Sequence, residues 1–130
     1  MNTLPPALAE AARDVARALE LRRDWLNPGP ASLIELGLPE GFMARSQART
    51  YGGLTLHLAG RPDLIALKLY AVVDQGPTSK HTTDLQALAP TAPELLAAAR
   101  WARTHDPSEA FRSELLQALA FFGVEGDVGP

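Results

Sequence analysis

Apolar residues recur every three or four positions from the start of the chain. Leu8, Ala12, Val15 and Leu19 form one stripe, with Arg13, Arg17 and Glu20 on the other side. That period belongs to an amphipathic helix, and Pro5-Pro6 suits its first turn. The pattern predicts a helix over about Pro6 to Leu21. Trp25-Leu26-Asn27-Pro28-Gly29-Pro30 cannot continue it, because two prolines and a glycine break the backbone pattern. A short helical turn is expected from Ala31 to Leu36, closed by Gly37, and Leu38-Pro39-Glu40-Gly41-Phe42 reads as loop.

The period then changes from helical to alternating. Arg45 to Tyr51 is a candidate strand and Gly52-Gly53 a two-residue turn. Leu54-Thr55-Leu56-His57-Leu58 alternates strictly, which predicts a hairpin with its three leucines on a buried face. Helical spacing returns at Gly60-Arg61-Pro62-Asp63, with Asp63 expected to favour the helix start through the dipole. This helix runs through Val73 and stops near Gly76-Pro77; the next spans Thr78 or Ser79 to Leu88. Thr91-Ala92-Pro93-Glu94 and Asp106-Pro107-Ser108-Glu109 read as capping boxes for two more. The first of these helices ends near Thr104; the second carries Phe111, Leu115, Leu119 and Phe122 and ends at Gly123. The expected fold is α+β: about five helices packed on a small sheet built around one antiparallel hairpin at residues 45–59. One domain is expected over residues 1–125, with 126–130 as a flexible tail.

Composition narrows the function classes. The 130 residues are 46% hydrophobic and 21% charged, enough for a core and unlike a disordered tail or a coiled coil. No apolar run approaches the ~18 residues of a membrane helix. Met1-Asn2-Thr3-Leu4-Pro5-Pro6 lacks the basic start and apolar stretch of a signal peptide, so a cytoplasmic location and no membrane partner are expected. The net charge of -3 argues against duplex DNA, which calls for a basic excess. Zero cysteines exclude disulfides, thiolate metal sites and a cysteine nucleophile.

Two places carry candidate chemistry. Lys68 is the one charge in an apolar helical segment, with Leu64, Ile65, Ala71 and Val72 three and four positions away. A lysine there must reach solvent, pair with an acid or meet an anionic ligand. The second place is Ser79-Lys80-His81-Thr82-Thr83-Asp84-Leu85, where His81, Asp84 and Leu88 share a helical stripe. Asp84 there either orients His81, points at whatever Lys68 points at, or is an ordinary acid in the second turn after an N-terminal cap. A Ser79, His81, Asp84 hydrolase lacks the G-x-S-x-G elbow. His57, His81 and His105 lack the spacing of helix-borne metal ligands, so no metal site is read from them.

Arg61-Pro62-Asp63-Leu64-Ile65-Ala66-Leu67-Lys68-Leu69-Tyr70-Ala71, followed by Lys80-His81-Thr82-Thr83-Asp84-Leu85-Gln86-Ala87-Leu88, resembles the C-terminal part of a DUF6036-type nucleotidyltransferase. That group is related to the AbiEii toxin-like enzymes of the polymerase-β-like superfamily. Asp24-Trp25-Leu26-Asn27, Tyr51-Gly52-Gly53-Leu54-Thr55 and Asp106-Pro107-Ser108 extend the likeness, which runs from about Leu4 to Glu125. The resemblance implies transfer of a nucleotidyl group from a nucleoside triphosphate with Mg²⁺. It makes Lys68 a phosphate contact and Asp84 the later active-site aspartate, with Lys80 and His81 on the phosphate side. The two helices would line one cleft, so Lys68 and Asp84 should approach each other.

The family's Asp-x-Asp pair, which holds its metals, occurs nowhere in these 130 residues. The resemblance therefore implies a truncated or degenerate domain, inactive alone. The other reading is a non-catalytic interaction or dimerisation domain. Either a homodimer or a partner chain supplying the missing half is the expected assembly.

Overall fold

The computed structural model describes residues 3–130, and their side chains except those of residues 32, 33 and 36. It is an α+β fold with one antiparallel hairpin. In chain order it has α1 (Pro6–Leu19), α2 (Ala31–Leu36), α3 (Phe42–Arg45), β1 (Gln47–Tyr51), β2 (Leu54–Leu58), α4 (Arg61–Gln75), α5 (Lys80–Leu88), α6 (Ala92–His105) and α7 (Glu109–Phe121). The five longer helices are those the periodicity predicts. The chain divides into two compact units, Met1–Leu38 and Pro39–Pro130, where the pattern alone suggests no boundary.

In the first unit, α1 ends at Leu19, two residues before the expected Leu21, and Glu20 caps it with a left-handed backbone. The Trp25 indole N–H donates to the Ala12 carbonyl at 2.9 Å and folds the following loop back along α1. The unit keeps Val15, Leu19 and Leu21 exposed.

The second unit is organised around α4. Ile65, Ala66, Leu69 and Val72 are buried, and α5, α6 and α7 all pack against this helix. Ala98, Ala99 and Ala102 give α6 a small-residue face, while α7 contributes Phe111, Leu115 and Leu119. Small side chains let helix axes approach closely. Val124 and Val128 join the same core, and Gly126 lies where a Cβ would meet Leu96 at 2.8 Å. The expected flexible tail at 126–130 is thus pinned by a buried valine.

Several local expectations change. Arg45 ends the one-turn helix α3, and the strand begins at Gln47. Asp63 stands in the first turn of α4 as expected, but not as an open acid facing the dipole alone. It is 1% exposed instead, and both carboxylate oxygens accept from Arg45: Nε at 2.9 Å and Nη2 at 2.6 Å. A buried carboxylate needs such a partner, and the planar guanidinium supplies a bidentate one. Arg45 Nη2 also donates to the Glu40 carbonyl at 2.7 Å.

Thr91 and Glu94 do form the reciprocal capping box on α6. At α7 the cap is Ser108 rather than Asp106, with the Ser108 hydroxyl accepting from Phe111 N–H at 3.2 Å. The buried Arg103 joins α6 to α7 by donating to the carbonyls of Asp106 and Ser108.

The hairpin departs most from expectation. Its register pairs Gln47 with Leu58, Arg49 with Leu56 and Tyr51 with Leu54. Every residue of both strands is exposed. Leu54, Leu56 and Leu58, predicted to face a core, each retain about 40% of their accessible surface. Neither strand packs substantially on any of α3 to α7, so the helices of this unit pack on one another and not on the sheet. Alternation reports a face that sheds water, and it does not say whose surface will cover it.

Two measurements check this architecture. Leu69 is fully buried at the centre of α4, so Leu69→Ala should cost ~2–5 kcal/mol in urea unfolding. Glu94 accepts from Arg61 Nε and Nη2 and from Thr91 N–H, and these bonds lower its carboxyl from 4.5 to about 2. A depressed acid contributes stability above its unfolded value that is lost as pH falls through the folded one. Glu94→Gln should therefore flatten the decline in urea midpoint between about pH 4.5 and about pH 2.

Candidate functional site

Lys68 lies on α4 and is partly buried. Its ammonium donates to Asp84 Oδ2 on α5 at 2.7 Å. The two residues, sixteen apart in sequence, thus meet as the helical motif suggests. Lys68 retains a quarter of its side-chain exposure and Asp84 about half, so the pair sits in a crease at the surface. Of the open alternatives for Lys68, pairing with an acid is the one observed, at a partly solvated position. The ammonium holds the Asp84 carboxyl below its ordinary range, first through that hydrogen bond.

His81 sits one turn before Asp84 on α5 and belongs to the same electrostatic neighbourhood. Burial pushes its imidazole below the usual 6.5; Lys68 and Lys80 push it the same way, while Asp84 opposes them. Lys80 itself is exposed at the first position of the helix. Ser79, the residue preceding α5, has an extended backbone but makes no side-chain cap. Three polar atoms here are buried without a hydrogen-bond partner: Ser79 Oγ, His81 Nδ1 and Thr82 Oγ1. Buried orphans of this kind are uncommon, and three fall within four residues at the start of α5.

The crease therefore combines a helix N-terminus, two lysines, an imidazole and one carboxylate. Ammonium groups and free helix N–H groups both favour an oxyanion. Sequence reasoning selects Lys68, Lys80, His81 and Asp84 but not the Thr82 hydroxyl. Its signal was only the polar Thr82-Thr83 step inside a helix, which carries no chemistry by itself.

The donor set does not fit the Mg²⁺ that the resemblance implies. Mg²⁺ favours an octahedron of oxygens, commonly with more than one carboxylate. Asp84 is already engaged by Lys68, and among the described residues no group of three or more His, Cys, Asp or Glu converges on a point. The other histidines lie elsewhere: His57 is on the hairpin, and His105 stacks edge-on to Trp101 at 4.6 Å and to Tyr70 at 6.2 Å. Asp63 and Arg45 form a separate structural clasp.

No family model, no curated protein and no solved structure matches this chain in the three comparisons made. Among the described residues, no helix is long and apolar enough to cross a membrane.

The geometry of the crease sets the response of His81 to its neighbours. Its imidazole should titrate below 6.5 by NMR. Lys68→Met should raise that value by removing a repelling cation, and Asp84→Asn should lower it by removing the anion that favours protonation. An imidazole unmoved by either change would place His81 outside the crease.

Proposed function

We propose that the chain is a nucleotidyltransferase-like domain that keeps a phosphate-recognition side and carries out no transfer on its own. The observation that supports this most is the meeting of Lys68 with Asp84, in the second turn of α5. Lys68 offers an ammonium with two remaining donors, and Lys80 and His81 add donors at the same helix end. A phosphoryl oxygen accepts from Lys68 in place of, or alongside, the Asp84 carboxylate. Asp84 holds the Lys68 ammonium in place when no phosphate is present, and it orients that group rather than reacting itself. Nucleotidyl transfer needs cations to neutralise the leaving pyrophosphate, and this crease has no carboxylate cluster to gather them.

A second reading has its own support. Tyr51, Leu54, Leu56 and Leu58 are exposed on a hairpin that the helices of its unit leave uncovered. Apolar residues grouped on one exposed face mark interaction surfaces. In this reading the domain associates through the hairpin, with a second copy or with a partner chain.

The phosphate reading is tested by titrating the chain with inorganic tripolyphosphate in the absence of metal, following the backbone amides of residues 80–82 by NMR. Shifts should concentrate there, and Lys68→Met should weaken binding about tenfold, the worth of one charge-assisted hydrogen bond. Shifts absent from the start of α5 at millimolar ligand would remove the reading. Pyrophosphate release from a nucleoside triphosphate with Mg²⁺ that disappears in Asp84→Asn would instead show a complete transferase site.

A further inference from the structure

We infer that the outer edge of β2 is self-complementary, and that a second copy of the chain adds its own β2 there, antiparallel, with the two-fold axis at Leu56. This rests on the interaction reading and is independent of the phosphate reading.

Gly52-Gly53 joins the strands, and Tyr51 and Leu54 flank it as a pair. In a two-residue hairpin the flanking pair is hydrogen-bonded, and bonded and non-bonded pairs then alternate. Arg49–Leu56 and Gln47–Leu58 are therefore bonded pairs as well. It follows that Thr55 and His57 turn their N–H and C=O groups away from β1, toward the free edge. An isolated two-stranded sheet is marginal in water; it needs a third strand or a helix against its face. No helix of α3 to α7 supplies that support. An added strand does.

The side chains select the occupant. If Thr55 of one copy bonds with His57 of the other, and the reverse, the edge is closed by about four backbone hydrogen bonds. Leu56 then meets Leu56 of the second copy in a non-bonded pair, the arrangement that brings side chains closest. Leu54 lies across from Leu58 in each direction. One face of the joint becomes a ladder of leucines from both copies, and the other pairs a threonine hydroxyl with an imidazole. Like charges do not face each other anywhere along this edge.

The other arrangements fail on charge. Pairing through β1 uses the outward groups of Ala48 and Thr50 and places Arg49 opposite Arg49, a like-charge pair that opposes association. Stacking the two leucine faces buries Arg49, which shares that face directly opposite Leu56. Residues 47–58 contain no aspartate or glutamate to pair with it, and an unpaired buried guanidinium is costly. Edge addition through β2 leaves Arg49 on an outer strand, where it reaches water.

The chain has no cysteine, so a single introduced thiol reports its own neighbour. In a non-bonded antiparallel pair the Cα atoms are ~4.5 Å apart, within the span of a disulfide. The full chain at micromolar concentration should sediment as a dimer of the 13.9 kDa chain. Leu56→Cys should oxidise to a covalent dimer, and Arg49→Cys should not. Leu56→Lys, at an exposed position, should keep its far-UV circular dichroism and sediment as a monomer. A wild-type monomer at micromolar concentration would overturn both this inference and self-association. A wild-type dimer that survives Leu56→Lys, or that cross-links through Arg49→Cys and not Leu56→Cys, would overturn the β2 edge and leave self-association standing.

Discussion

The burial of α4 governs the second unit. A helix apolar on nearly every side must be covered on nearly every side, and α5, α6 and α7 do this. The cover dictates where polar groups can go. Lys68 emerges at the seam between α4 and α5, and the nearest acid across that seam is Asp84. Asp63 has no route to water from its place on the first turn, so an arginine comes to it. The crease at α5 and the clasp at Arg45 are two outcomes of one packing demand, one partly solvated and the other closed.

That difference in solvation separates their roles. The carboxylate of Asp63 is enclosed and fully engaged, so it can hold structure but cannot exchange partners. Lys68 and Asp84 remain reachable, and a surface pair of this sort contributes little to stability. A contact that is cheap to open is the one available to a ligand. Two hydroxyls and an imidazole nitrogen lie buried without partners at the start of the same helix.

Much of this is legible in the sequence. The family resemblance implied the meeting of Lys68 and Asp84, sixteen residues apart. Helical spacing located the long helices, and the Thr91-Glu94 box fixed the start of α6. These are local signals, carried by residues a turn or two apart. The clasp was not legible. Arg45 and Asp63 are separated by the hairpin, and each has an adequate local explanation, as a strand residue and as a helix-start acid. The Ser108 cap was displaced by two residues because Asp106 is used to end α6 instead. The exposure of the leucine face was illegible for another reason: strict alternation describes a strand's two sides without naming what lies over them.

The clasp has a further consequence for how this chain can vary. The hairpin leaves the helical body just after Arg45 and returns just before Asp63, and Gly60 sits so close to Arg45 that a Cβ would lie 3.0 Å from its carbonyl oxygen. Entry and exit are thus riveted at one point. A segment anchored in this way can be lengthened, shortened or replaced without the helices sensing it, since loop length adds only slowly to closure entropy. Sequence drift in the hairpin and sequence drift in the core are thereby uncoupled, and the chain can acquire new binding partners at its tip while the crease between α4 and α5 stays fixed.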